Sequence, residues 1–408
     1  MSVGIIQIPS LYEPAYNPNY FLVSGTNSAS GNYKLMCRIQ APSGNIVATL
    51  KLPTDPIQTQ SACFDVGRIL ESYVTHTIDI GLNRVATAPD CIQDYLVEFG
   101  EEYGTPTPTE YWTGLNVQPC FVISAALSTR EFNAYNYLDY LQGAGTRKFL
   151  NKYKGTRTVF STTKAFLYFL QDETYPVTSI LIDPYTSAGV ALGSSVIDQP
   201  YTGSAYSTRL LYFPAGPTNL NLIPQASLLS GTSGSLIPAS TSYYDVYLRW
   251  SGGGAVGEKL RFSIIDNCSK YTNYPIYFLG QYPSMEVWNF NRRSDVVHQI
   301  TKKDYKQPLG RFLDSTHYGY EDTDRQLTTY NSEVTDSVTL NTDNLTEAEL
   351  GFLKECVQSP IVYSLEDGVL IPVKITDSQF TAKKKVNDKI FNLTITIEYA
   401  STLELQRG

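Results

Sequence analysis

Charge is scarce in this chain. Asp, Glu, Lys and Arg make up 17% of its 408 residues, against about a quarter in an average soluble protein. The formal net charge is −8. That argues against bulk nucleic-acid binding by the whole chain, because neutralising phosphates needs clustered Lys and Arg. Histidine is rarer still, with only His76, His298 and His317. None stands at ligand spacing from a cysteine, and Cys37, Cys63, Cys91, Cys120, Cys268 and Cys356 form no Cys-x-x-Cys pair. A structural zinc site is therefore not expected. No stretch approaches the roughly 20 apolar residues of a membrane span. The start, Met1-Ser2-Val3-Gly4, has neither the basic segment nor the apolar run of a signal peptide, so none is expected. The sequons at Asn267, Asn344 and Asn392 then carry no message.

Catalytic signatures are missing as well. There is no G-x-S-x-G elbow, no H-E-x-x-H and no kinase set. The run Gly252–Lys259 fails as a phosphate loop. Glu258 separates the last glycine from the lysine, and Leu260 stands where Ser or Thr is needed. It reads as a hairpin turn. Glu321-Asp322-Thr323-Asp324 lacks the glycine and distal glutamate of a calcium loop and reads as a solvated acidic turn. The expectation is a non-enzymatic protein with no cofactor and no metal. A buried carboxylate pair for glycoside hydrolysis is the one chemistry left open, and nothing in the linear sequence points to one.

What is abundant is aromatic and turn-forming. The chain has 31 Tyr, 28 Gly and 22 Pro, and 42% of its residues are hydrophobic. That is enough to pack cores. The length allows two to four domains. The composition predicts a mainly β protein of several antiparallel β-sandwiches with many turns. Local rules agree best near the end. Thr346 followed by Glu349 is a capping box, and Phe352, Leu353, Cys356 and Val357 recur at helical spacing. Ser359-Pro360 stops that helix. Glu366-Asp367-Gly368 is a turn suited to positive φ. Ile371, Val373 and Ile375 alternate with polar residues. So do Phe391, Leu393, Ile395, Ile397 and Tyr399, behind a hairpin tip at Asn387-Asp388. The C-terminal module is thus a β-sheet backed by one α-helix.

The rest divides by turn signals. Residues 1–127 read as an N-terminal β domain, with strands near 20–23, 33–39, 46–52, 95–99 and 121–123. A short helix over 66–74 follows Asp65. Residues 128–160 are a connector carrying a basic strip: Arg147, Lys148, Lys152, Lys154 and Arg157. Residues 161–270 read as a middle sandwich, with strands at 166–170, 179–182, 210–213, 244–250 and 259–265. Its polar stretches 186–207 and 224–242 read as long surface loops suited to binding. Residues 271–408 form the closing module, in which Lys302–Tyr330 reads as a loop or extended arm. The four early cysteines can bridge or stay reduced, and both readings stand.

Two stretches carry a resemblance. One is Tyr16-Asn17-Pro18, Phe21, Val23, Ile46, Leu50-Lys51, Pro53 and Cys63-Phe64-Asp65-Val66-Gly67-Arg68-Ile69-Leu70. The other is Ser359-Pro360, Val362-Tyr363, Pro372-Val373, Ile375-Thr376-Asp377, Lys383, Asn387-Asp388-Lys389, Thr394-Ile395, Ile397-Glu398-Tyr399-Ala400 and Gln406-Arg407-Gly408. In order and spacing they resemble the two ends of a tail structural protein family of phages that infect Bacteroidetes, crAss-like phages among them. The resemblance implies a virion tail protein of tail-tube or distal-tail type, assembled in the host cytoplasm. Its partners would be copies of itself in a cyclic ring, other tail proteins, DNA passing through the lumen and, in the alternative reading, host surface glycan. The surfaces expected to hold the ring together are the 145–157 strip and the hairpin with Lys383, Lys384, Lys385 and Lys389, beside the sheet edge near 391–399. Each basic run also reads as a solvated loop.

Overall fold

The computed structural model describes the backbone of residues 3–41, 44–142, 147–174, 176–250, 257–265, 270–376, 392–401 and 403–404. The chain is mainly β, with antiparallel sheets and few helices. Its residues divide into two compact units, 1–266 with 279–287, and 267–278 with 288–408.

The first unit contains two sandwiches, each with its own core. In one, the sheet Val3–Gln7, Tyr20–Gly25, Ser61–Asp65 faces a five-stranded sheet. Its order is Tyr12–Pro14, Thr109–Ile123, Ile92–Tyr103, Lys34–Gln40, Ile46–Leu52. Alternation puts Phe21, Val23 and Phe64 opposite Leu35, Cys37, Val97 and Phe99, all fully or nearly fully buried. The expected helix after Asp65 shrinks to Gly67–Leu70 and a single 3-10 turn. Asp65 does act at its start, accepting the Gly67 N–H at 3.0 Å. In the other sandwich, Arg157–Val159, Leu260–Ile264, Tyr243–Trp250, Val177–Tyr185, Ser195–Asp198 and Leu228–Ser230 form a six-stranded sheet. It packs on Phe166–Leu170, Leu210–Pro214 and Ala86–Thr87. Leu167, Phe169 and Phe213 meet Ile180, Ile182, Val246 and Phe262 in its core.

All five strands expected in the middle segment are present. The segments 186–207 and 224–242 are not loops throughout. They carry Ser195–Asp198 and Leu228–Ser230, which extend the six-stranded sheet. The cysteines among the described residues are free thiols: Cys37, Cys91, Cys120 and Cys356 are buried, and Cys63 is exposed.

The second unit is one curled sheet and one helix. The strand order is Met285–Phe290, Tyr274–Leu279, Val362–Glu366, Val369–Ile375, Thr394–Tyr399, Leu327–Asn341, Ser294–Lys306, with Leu403–Glu404 beside Leu327–Asn341. The helix Glu347–Gln358 starts with the expected capping box, Thr346 with Glu349, and ends at Ser359 in extended conformation. Leu353 and Cys356 are fully buried. The ring of Phe352 packs against Phe278 and Trp288, with centroids 5.2 and 6.2 Å apart. The turn after Glu366 has φ of 49° at Asp367 and 83° at Gly368. That is the geometry a tight two-residue hairpin demands, and glycine meets it without a steric cost.

Of the two readings of Lys302–Tyr330, loop or extended arm, the structure shows the arm. Ser294–Lys306 and Leu327–Asn341 pair in register from Ser294↔Leu340 to Lys306↔Leu327, with one bulge opposite Lys303/Asp304. Thirteen paired positions at ~3.4 Å each make a ribbon about 40 Å long. A second small hairpin, Arg311–Phe312 with Tyr318–Gly319, forms its tip.

Candidate functional site

Two of the five cations of the basic strip, Arg147 and Arg157, are buried, and the three lysines are partly exposed. Arg147 is fully buried. Its Nη2 donates to the Leu170 carbonyl at 2.5 Å, and burial pushes its guanidinium down to about 9. Lys148 pairs with Asp139 at 2.6 Å and Lys152 with Glu131 at 2.7 Å. Lys154 pairs with Glu258 and donates to the Phe149 carbonyl at 2.9 Å. Arg157 pairs with Glu286, both being nearly buried. Glu286 also accepts from Asn151 at 3.0 Å and Ser284 at 3.3 Å, while the Arg157 guanidinium lies over the Tyr153 ring. All five cations are thus engaged by groups of the same unit. Arg147, Lys154 and Arg157 tie the connector to the rest of the unit, while Lys148 and Lys152 pair within the connector. The counter-charges of Lys154 and Arg157, Glu258 and Glu286, are more than a hundred residues away in sequence. A count of local charge does not see them. The other expected surface, Lys383, Lys384, Lys385 and Lys389, lies outside the described residues.

Two features of the second unit stand out instead. The first is the ribbon. Among the described residues, 26 large hydrophobic side chains are exposed, and eleven of them fall between Val296 and Tyr330. Phe312 is 75% exposed and Tyr320 65%. That density exceeds the scattered apolar residues of ordinary surfaces and marks a contact region. Cross-strand ion pairs stiffen the ribbon: Lys303 with Glu333 at 3.0 Å, and Arg311 with Glu321 and with Asp324. Lys302 and Lys306 form no ion pair among the described residues. Ser294–Lys306 is also the terminal strand of the sheet, so its outer edge offers backbone groups for pairing.

The second feature is the mouth of the curled sheet. A cavity of about 460 Å³ opens there. Tyr274 and Val296 both line it although their strands are nearly at opposite ends of the sheet order, which shows how strongly the sheet curls. Val334, Ile371 and the buried Val338 supply apolar wall; Asp336 and Glu366 supply charge. Glu366 accepts from the Tyr399 hydroxyl at 2.5 Å and from Ser364 at 2.9 Å. His298 Nδ1 lies 2.6 Å from Asp336 Oδ1, across the strand pair. Burial first, then the Glu366 carboxylate, push the Tyr399 phenol well above its usual value, with Tyr274 and Asp336 adding to the effect. No lysine or arginine is among the described residues lining the cavity. It is an acidic, tyrosine-bearing, partly apolar cleft of the size that holds a small ligand or several side chains.

Sequence reasoning offered the arm only as an alternative to a loop and missed the mouth. The signal for the ribbon was present in the dense Val and Thr content of 294–301 and 328–340. The mixed charges around it drew attention to solvation instead. The mouth has no linear signal, since its residues come from six strands. Among the described residues, no three His, Cys, Asp or Glu side chains gather as a metal site, and no helix is long and apolar enough to cross a membrane. No protein-family model matches the chain, and no curated protein matches its sequence.

Proposed function

We propose that the protein is a non-enzymatic structural subunit of a phage tail, part of a ring, hub or distal-tail assembly. It builds the DNA conduit and anchors neighbouring tail or adsorption proteins in the virion. The observation that carries this reading is the ribbon, a rigid arm with eleven exposed large hydrophobic side chains and an open strand edge. Such an arm is costly to leave in water and is satisfied by a neighbour. A contact between an arm and a different patch on the next copy is heterologous, and it closes a ring when the rotation per subunit divides a full turn. The resemblance at both ends of the chain points the same way. The test is the mass of the purified protein by light scattering, with negative-stain images of the same sample. The expected result is a closed ring with a central opening, or a monomer that joins rings when other tail proteins are added. A monomer indifferent to both contradicts the reading.

The mouth favours a second reading, a carbohydrate- or host-receptor-binding module of the tail. Tyrosine faces and carboxylate acceptors are the groups that hold sugar rings and hydroxyls. Saturable oligosaccharide binding by the isolated monomer would support it.

A further inference from the structure

The chemistry of the mouth is narrower than its size. We infer that it holds the terminal unit of a neutral oligosaccharide and turns away sugars that carry carboxylate or sulfate. This rests on the second reading above and names its ligand class.

The opening follows from how the sheet is filled. On the strand Tyr274–Leu279, Phe278 packs against Phe352 of the helix. Tyr274 stands four residues back on the same face, about 13 Å away, and lines the cavity. The helix therefore covers one end of that strand, and the cavity opens at the other. Its volume of about 460 Å³ lies near the small end of ligand sites, which suits one terminal unit better than a long chain. Its polar groups are only half used. Glu366 Oε1 accepts from Tyr399 and Ser364, while Oε2 has no hydrogen-bond partner among the described residues. Asp336 Oδ1 is held by His298 Nδ1 at 2.6 Å, while Oδ2 has no partner among them. The Tyr274 hydroxyl has none there either. Two carboxylate oxygens and one phenol are thus left for a ligand or water.

Ligand classes meet this inventory differently. An apolar ligand strips water from two carboxylates and returns no donor, which is costly. An anion meets two carboxylates against the single His298, and no lysine or arginine lines the cavity among the described residues. A metal ion lacks a ligand set, since no three His, Cys, Asp or Glu gather among the described residues. A bare ammonium finds Asp336 already held by His298 and leaves the apolar wall of Val334, Val338 and Ile371 uncovered. A neutral sugar matches both halves of the site. Its hydroxyls donate to the carboxylate oxygens in charge-assisted hydrogen bonds. Its C–H face lies on valine, isoleucine and tyrosine.

The test probes the full chain on an array of immobilised neutral, sialylated, uronic and sulfated oligosaccharides. The tightest neutral member is then titrated by calorimetry beside the same sugar capped with a sialic or uronic acid. The neutral sugar is expected to bind, and the capped one at least ten-fold more weakly. The variant Asp336→Asn/Glu366→Gln, checked by thermal unfolding, should weaken the neutral sugar at least ten-fold and bring the two sugars close to equal affinity. Ile371→Trp fills the cleft from its apolar wall and should abolish binding; it serves if the double variant does not fold. Equal binding of both sugars by the natural chain would overturn the inference and leave the carbohydrate reading in place. So would neutral-sugar binding that neither variant changes, because the sugar then sits elsewhere. Spermidine bound more tightly than any neutral sugar, and lost in the same variants, would make the mouth a cation site and overturn it too. A folded chain that binds nothing on the array would overturn both the inference and the carbohydrate reading.

Discussion

The strip at 147–157 and the arm at 294–341 each carry five Lys and Arg, those of the arm among eight Asp and Glu, and cations of the two meet different fates. In the first unit every cation of the strip finds a partner within the unit, and Arg147 and Arg157 are taken into the interior. In the arm, Lys302 and Lys306 have no ion pair among the described residues while large apolar side chains face solvent beside them. A buried, fully paired cation holds a fold together at the cost of its own hydration. An exposed unpaired one beside apolar surface is available to a partner. The contrast teaches that a run of Lys and Arg in sequence does not reveal which kind it is. What decides is where the counter-charge lies in the fold.

The sharpest way to break the contrast is at Arg157. Replacing it with Met strands the Glu286 carboxylate among buried groups. It should lower the stability of the first unit by about 3–5 kcal/mol, read from the midpoint of urea unfolding. Alkali is the next probe. Tyr168 and Tyr244 are buried, and burial pushes both phenols well above 10. The folded state keeps those protons where the unfolded chain releases them. Their contribution is therefore intact below pH ~10 and falls above it by about 1.4 kcal/mol per pH unit for each tyrosine. Urea midpoints at pH 9, 10 and 11 should decline accordingly. A smaller effect comes from Thr346→Ala, which removes the helix cap and should cost about 1 kcal/mol in the second unit. The smallest belongs to the arm. Phe312→Ser lies at the exposed tip and should change stability by no more than about 0.5 kcal/mol, yet it should weaken self-association. A large loss of stability from that change would mean that the tip packs on its own chain.

Much of the fold was legible because local patterns were strong. The capping box at Thr346, the stop at Ser359, the Asp367-Gly368 turn and the strands around 166–170, 210–213 and 244–250 each rest on short-range rules, and each is present. What failed depended on distant partners. The polar stretches at 195–198 and 228–230 become strands only because an open sheet edge is there to receive them. The helix after Asp65 shortens to Gly67–Leu70. Residues 302–306 and 327–330 left loop and extended arm both open, and cross-strand pairing decides for the arm. The strip misled for the same reason, since Arg157 and Glu286 are 129 positions apart. The mouth could not be read at all, since curling alone brings Tyr274, Asp336, Glu366 and Tyr399 together.

The claim that matters most is that the exposed arm exists to hold copies together. Ile300 and Val334 are direct partners across the ribbon, so residues 301–333 can be replaced by a two-residue Asn-Gly turn, at the cost of the Glu333↔Glu404 pairing in the sheet beneath. Light scattering on this shortened chain and on the natural one, at equal concentration and with added tail proteins in a parallel sample, measures the claim directly. The natural chain should form rings, and the shortened chain should stay at the mass of one folded subunit in both samples. Rings of unchanged size from the shortened chain would show that the arm is not what joins them.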